Sequence, residues 1–272
     1  MIKSDWHMHS VHSYDSTLPL EKIVKATEEL GIEEIGVTDH LNYNDESFIG
    51  NIKDSMAAIK AGYPSIIPGV ELTPIAKPMF DYIARTGSRE GYVPPYSASP
   101  YPIELGMSMD ELMSLGVRYA VGGAHWRVDR PSPFEDNSLY AQLKEWHRQQ
   151  MYLACDERVT VLAHPWNNSS GIWYENFSLI PRGMNLELGA ALLENRKYIE
   201  CNGALFGRAS EGFCRGYAEF LRELFEMGVR VTYGSDCHNI YTDRRENTVK
   251  YLSLVGFSSG DICAIDKNDL YY

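Results

Sequence analysis

The sequence predicts an α/β fold, a distorted (β/α)7 barrel of the TIM type, with a metal site at the C-terminal ends of its strands. Three observations predict it. Short apolar runs alternate with helical segments about seven times along 272 residues, a pattern that builds a parallel sheet with helices outside. The length suits one α/β barrel, and no linker, internal repeat or low-complexity run divides residues 1–272. The apolar runs end repeatedly on His, Asp or Glu, at the face that carries the chemistry in barrel proteins.

The first run ends in Asp5-Trp6-His7-Met8-His9-Ser10. In a strand, residues i and i+2 share a side, so His7 and His9 project together, as two imidazoles must to hold one ion. Ser16 or Thr17 is expected to cap a first helix, with Pro19 in its first turn and Gly31 ending it. Ile35-Gly36-Val37-Thr38 is a strand ending at Asp39-His40, followed by a helix over 46–61. The run from Ser65 to Val70 ends at Glu71. Residues 75–105 are rich in Pro, Tyr, Ser and Gly, and read as a long excursion with a short strand at 80–83. Ser108 and Glu111 form a capping box for a short helix. A strand over 117–124 ends at His125, a helix spans 138–157, and a strand over 159–163 ends at His164. A helix over 186–195 leads to the run at 198–202. Phe213, Tyr217, Phe220, Leu221 and Leu224 mark the core face of a helix over 210–227. The run at 229–234 ends in Ser235-Asp236-Cys237-His238, and a last helix covers 243–255.

Composition narrows the function. Hydrophobic content of 44% and charged content of 23% are those of a soluble globular protein. A net charge of −12 excludes the basic footprint of a sequence-independent nucleic-acid binder. It does not exclude a phosphorylated substrate, because bound cations reverse the local potential. Five scattered cysteines, none in a CxxC pair, read as reduced thiols of a cytoplasmic protein. No signal peptide or membrane-spanning apolar run is expected.

His7, His9, Asp15, His40, Glu71, His125, His164, Asp236 and His238 thus converge on one rim. Nine N/O ligands exceed the roughly four that one zinc ion takes and suit two to three divalent ions. Mixed imidazole and carboxylate without Cys fits Zn, Mn or Fe. Glu71 has two oxygens and can bridge. Such ions lower the pKa of bound water from about 15.7 to near 7 and hold phosphate oxygens. Hydroxide attack on a phosphoester is the natural reaction, and dinuclear amide hydrolysis its competitor. Cys237 alternates away from its two neighbours and reads as core. His147 lies on a helix and reads as a surface or packing residue; His12 reads as solvent-exposed near the rim.

These residues resemble the polymerase and histidinol phosphatase (PHP) family. The opening motif with Asp15, Thr38-Asp39-His40, Gly69-Val70-Glu71, Gly122-Gly123-Ala124-His125, Ala163-His164-Pro165 and Gly234-Ser235-Asp236-Cys237-His238 occur in the family's order over nearly the whole chain. The resemblance implies a trinuclear centre and phosphoesterase activity in one PHP-type domain, with His7, His9, Glu71, Asp236 and His238 catalytic. It implies that His7, His9, Glu71 and Asp236 hold one ion, Asp15, His40 and His238 a second, and Glu71, His125 and His164 a third. Size and build resemble the histidinol-phosphatase branch, so L-histidinol phosphate is the first expected substrate. Arg208, a few residues beyond Asn202, resembles a phosphate ligand of that branch. No basic residue follows His164 closely, and Arg127 in His125-Trp126-Arg127 is the expected replacement, since a guanidinium fork fits phosphate. Competing readings are a phosphodiesterase or amidohydrolase on the same metals and a non-catalytic metal-dependent binding domain. Oligomeric state is not encoded in these patterns.

Overall fold

The computed structural model describes residues 2–129 and 136–271. Its strands in chain order are β1 (Ser4–Asp5), β2 (Glu34–Leu41), β3 (Ile66–Leu72), β4 (Ile75–Ala76), β5 (Ile103–Glu104), β6 (Tyr119–Gly122), β7 (Val161–Leu162), β8 (Tyr198–Asn202) and β9 (Arg230–Gly234). The helices are α1 (Leu20–Glu29), α2 (Glu46–Gly62), α3 (Lys77–Thr86), α4 (Met109–Leu115), α5 (Leu139–Cys155), α6 (Arg182–Glu194), α7 (Gly203–Arg208), α8 (Glu211–Glu226) and α9 (Arg245–Ser253). Seven strands pair in parallel in the order β1-β2-β3-β6-β7-β8-β9. The sheet nearly closes: Trp6 N donates to Tyr233 O at 2.9 Å, Asp236 N donates to His7 O at 2.8 Å, and Met8 bridges Cys237 in parallel. The expected seven-stranded barrel is present.

Tyr119 fills the barrel axis together with Trp6, Val121, Val161, Ala163 and Tyr198. Two glycines make room for it. A Cβ at Gly36 would lie 1.9 Å from the Tyr119 hydroxyl oxygen, and one at Gly69 would lie 2.6 Å from its ring. The hydroxyl donates to Trp6 O at 2.8 Å, so this buried polar atom is satisfied. A larger apolar layer separates the strands from the helices. Phe213, Tyr217, Phe220, Leu221 and Leu224 of α8 are all buried in it, as their helical spacing predicts. Each contributes roughly 1.5–3 kcal/mol of burial. One register matters for function: His40 of β2 pairs with Glu71 of β3, which sets their side chains together at the rim.

Three expectations need correction. Residues 80–83 are helical, not a strand, because they fall within α3. Pro78 sits in its first turn, Lys77 pairs with Asp81 one turn on at 2.7 Å, and Gly87 ends it in the left-handed conformation. The strand of this excursion lies elsewhere, in the antiparallel β4–β5 pair. Neither Ser16 nor Thr17 caps α1: Pro19 occupies the cap position without a side-chain bond. Ser16 Oγ donates instead to the carbonyls of His9 and His238, and Thr17 donates to Asn239. The six-residue α7, capped by Asn202, was not anticipated. The Ser108–Glu111 capping box is formed as expected. All five cysteines are free. Among the described residues, no helix is long and apolar enough to cross a membrane.

Candidate metal centre

The nine candidate ligands come from the C-terminal ends of the barrel strands and the loops that follow. Glu71, at the end of β3, stands in the middle. Its Oε1 lies 2.9 Å from His164 Nε2 and 3.2 Å from His125 Nε2. Its Oε2 lies 3.0 Å from His40 Nδ1, 3.2 Å from His7 Nε2 and 3.4 Å from His9 Nε2. One carboxylate therefore faces five imidazoles, two on one oxygen and three on the other. Asp236 Oδ1 lies 3.5 Å from His9 Nε2 and 3.6 Å from His238 Nδ1. Asp15 Oδ2 lies 3.3 Å from His40 Nε2 and 3.4 Å from His238 Nε2. All nine expected residues are brought into one cluster.

The cluster fits divalent cations better than it fits itself. His7 Nε2 and His9 Nε2 face each other at 3.1 Å. His40 Nδ1 is close to Glu71 Oε2 but off the hydrogen-bond line, and the buried Nδ1 atoms of His9 and His164 have no hydrogen-bond partner among the described residues. Close, misaligned lone-pair donors are what ligands sharing an ion look like. Burial, reinforced by the neighbouring His40, lowers the His9 pKa to about 3, so this imidazole is neutral and able to coordinate. Burial pushes the Glu71 carboxyl up, but His40, His7 and His125 more than offset it and hold it well below the usual range. Four triads have ligand atoms within 4.8 Å of one another: His9-His40-His238, His7-His9-Asp236, His7-Glu71-His164 and His40-Glu71-His125. They overlap through His7, His9, His40 and Glu71. The cluster is sealed below and open above. His7, His9, Glu71 and His164 side chains are at most 2% exposed, whereas those of Asp15, His238 and His125 are 31%, 27% and 22% exposed.

A further layer of polar residues holds the cluster in place. Glu200 of β8 is buried, with Oε1 2.7 Å from His7 Nδ1; Oε2 accepts from His164 N and from Asn202 Nδ2. A bond at Nδ1 directs His7 Nε2 to the centre. Gly234 leaves room for this contact, since a Cβ there would lie 2.0 Å from Glu200 Oε1 and 2.5 Å from His7 Cβ. Asp5, whose pKa burial raises to about 6, accepts from Ser235 N at 2.9 Å and from the Tyr241 hydroxyl at 2.8 Å. Asp39 accepts from Ser10 and Ser55. Arg244 donates to Ser235 O at 3.1 Å and Cys237 Sγ at 3.4 Å, bracing the turn that carries Asp236. The backbone is strained here: His164 and Asp236 adopt φ of 27° and 55°, values that non-glycine residues rarely hold away from functional sites. Sequence reasoning missed Glu200, Asp5 and Arg244 as site residues. The signal for Glu200 was weak, a single acid in the run Tyr198–Asn202.

The two expected phosphate-binding arginines sit differently. Arg127 forks onto Asp129, with Nη2 2.5 Å from Oδ2, and donates to Asp136 O and Asn137 Oδ1. Arg208 ends α7, exposed, with Nη2 3.3 Å from Asn167 Oδ1. His147 lies outside the cluster, stacked on Trp166 and bonded to Glu187 at 2.9 Å. His12 is half-buried beside Ser10, to whose Oγ its backbone N donates.

A parallel barrel with imidazoles and carboxylates crowded on its C-terminal rim places this protein among the metal-dependent hydrolases. The chain belongs to the PHP domain family, whose pattern matches residues 5–160. That membership makes it a metal-dependent phosphoesterase. The histidinol phosphate phosphatase of Lactococcus lactis subsp. lactis, whose structure is complexed with zinc, L-histidinol and phosphate, has a similar fold. The TM-score is 0.58 with 17% identity over 94% of each chain. A histidinol phosphatase from Listeria monocytogenes, itself assigned provisionally, is similar at TM-score 0.59 and 13% identity, covering 96% of this chain and 100% of that one. At these identities the likeness is one of fold. No curated protein matches the sequence.

Proposed function

We propose that residues 1–272 form one PHP-type domain that hydrolyses a small phosphomonoester, with two to three divalent ions (Zn, Mn or Fe) held by His7, His9, Asp15, His40, Glu71, His125, His164, Asp236 and His238. The arrangement of five imidazoles around the two oxygens of buried Glu71 carries this reading, because a carboxylate shared in this way would suit cations held on either side of it. Divalent ions bound there would acidify water and neutralise charge developing on the phosphoryl oxygens. The chain's own residues do the rest. Glu200 keeps the His7 ring oriented, and Glu71 and Asp236 hold the histidines in register. Asp15, His125 and His238 line the open side, where water and phosphate enter. Arg208 stands within hydrogen-bond distance of Asn167 and can swing its exposed guanidinium onto a phosphate oxygen. Arg127 would have to leave Asp129 to do the same, so Arg208 is the stronger candidate.

The finer expectation is L-histidinol phosphate as substrate, with a cytoplasmic place in histidine biosynthesis. It rests on the family branch and on the ligands named for the Lactococcus lactis protein. Elemental analysis of the purified chain, combined with hydrolysis of histidinol phosphate, an aryl phosphate and an aryl phosphodiester, tests it. Two to three ions per chain with monoester turnover is the expected result. Diester cleavage alone would replace the monoesterase reading, and metal-free inert protein would leave a binding domain. Arg208→Ala should raise KM at least about tenfold, the scale of a lost charge-assisted contact; unchanged kinetics would remove Arg208 from the phosphate shell.

A further inference from the structure

Beside the metal cluster lies a cavity of about 220 Å³ that none of the cluster residues lines. Tyr43, Tyr92, Tyr101 and Trp126 form much of its wall, with apolar side chains from β4, α3, the segment before β5 and the loop after β6 filling the remainder. It adjoins the cluster directly. Trp126 follows His125, and their rings lie 5.8 Å apart. Tyr43 follows Asn42, whose Oδ1 accepts from Thr73 Oγ1, itself 3.0 Å from His125 Nδ1. The wall is held rigid: Tyr43 stacks on Trp126 at 5.5 Å and 13°, and Arg89 covers Tyr43 at 4.5 Å from the ring centroid.

The lining chemistry selects its occupant. The volume falls below the roughly 300–1,000 Å³ of sites for drug-sized ligands, so one ring-sized group fits. Among the described residues no carboxylate lines it, and the one charged lining residue, Arg127, carries a positive charge. Arg127 is engaged by Asp129, and Arg89, on one aromatic face, by Asp45, so a cationic ligand would find neither a free carboxylate nor an open aromatic face on that side. One polar atom is left over. The buried Tyr92 hydroxyl has no hydrogen-bond partner among the described residues, whereas the Tyr101 hydroxyl donates to Pro95 O. An unpaired buried hydroxyl costs about 1–3 kcal/mol unless a ligand satisfies it.

We propose that this cavity is the leaving-group pocket of the phosphoesterase, and that it takes an uncharged aromatic ring bearing one hydrogen-bonding group in preference to a cationic amino alcohol. The inference rests on the phosphoesterase reading and competes with L-histidinol phosphate as its substrate, so the two substrate readings are separated by the same measurement. Phosphate held at the cluster would place the ester's alcohol portion over His125 and Trp126. The ring would slide along Trp126 and Tyr43, with its polar substituent against Tyr92.

Four esters of primary alcohols test it, since their leaving groups are chemically alike: ethyl phosphate, 2-phenylethyl phosphate, 2-(4-hydroxyphenyl)ethyl phosphate and L-histidinol phosphate. The two phenyl esters should exceed the other two in kcat/KM by at least about tenfold, the scale set by filling an apolar pocket. Ala76→Trp, which fills the cavity, should erase the advantage over ethyl phosphate. Tyr92→Phe should lower the hydroxyphenyl ester roughly five- to tenfold relative to the phenyl ester, a change too small in volume to threaten folding. In parallel, saturation-transfer NMR with 2-(4-hydroxyphenyl)ethanol reads pocket binding without turnover. Histidinol phosphate as the best ester, or no NMR transfer to the alcohol, would overturn the proposal. Transfer without hydrolysis of any ester, with Zn, Mn or Fe supplied, would leave a ring-binding cavity and reject its leaving-group role along with the phosphoesterase reading.

Discussion

The two ends of the barrel are built from the same seven strands and solve opposite problems. At the N-terminal end the last segment of the described chain folds back and closes the opening. Ile265 and Leu270 pack under the barrel-axis residues. Tyr198 donates its hydroxyl to Asp269 at 2.8 Å and accepts from Asp266 N at 2.8 Å. The Arg230 guanidinium covers the Tyr198 ring at 3.8 Å and pairs with Asp269. Arg118 Nε donates to Tyr271 O at 2.9 Å. These polar groups find partners within the chain. At the C-terminal end, six imidazoles and three carboxylates crowd together with buried nitrogens unpaired and the backbone strained at His164 and Asp236. One end is complete as folded. The other is arranged for cations that the chain does not itself supply.

The sharpest way to break this contrast is Glu71→Gln, which keeps the volume and removes the central charge. We expect metal content below one ion per chain and activity down by at least about 10³-fold, within the range that loss of a central catalytic group causes. Elemental analysis and kcat report the two effects separately. Full metal content and turnover in this variant would mean that Glu71 is merely a buried acid among histidines. Glu200→Gln probes the next layer with a smaller effect. It retains a hydrogen-bond acceptor for His7 Nδ1 but removes the charge, so metal affinity should fall about 10–100-fold. Competition with a chelating dye measures that affinity without turnover; an unchanged value would make Glu200 a structural residue only.

The legibility of the two ends differs for a physical reason. Ligand residues at the C-terminal end are uncommon types at recurrent places, since a strand must end where its side chain can leave the sheet. His7 and His9 show the strand period, and His40, Glu71, His125 and His164 each close an apolar run. A coincidence of that kind is local, and a single sequence displays it. Glu200 was hidden because one acid within Tyr198–Asn202 looks like any strand residue until His7, almost two hundred positions away, lies against it. Ser16 was misread because a hydroxyl before Pro19 suits a helix cap as well as it suits the carbonyls of His9 and His238. The α3 segment was obscured by its aromatic and proline content, although Lys77 and Asp81 carry a helical spacing. The N-terminal closure was illegible altogether: Tyr198, Arg230 and Asp269 meet only through the fold.

That closure gives the smallest effect and the one that sharpens the comparison most directly, because it should move stability and leave the metal end alone. Burial pushes the Asp269 carboxyl up, but bonds from Arg230 and Tyr198 more than offset this and hold it below its ordinary value of 3.8. A carboxylate whose folded pKa is depressed contributes stability above the unfolded pKa and loses it as pH falls through the folded one. Asp269→Asn should therefore cost stability at pH 7, by less than about 1 kcal/mol because the pair is partly open to solvent. The gap to the unmodified chain should narrow as pH falls below about 4, where the unfolded carboxyl protonates. Urea unfolding midpoints at pH 7 and pH 3.5 measure it, with metal content at pH 7 as the control. A gap that stays constant or widens in acid would show that Asp269 acts through packing and not charge. Metal lost at pH 7 would show that the two ends of the barrel are coupled, and the separation drawn between them would fail.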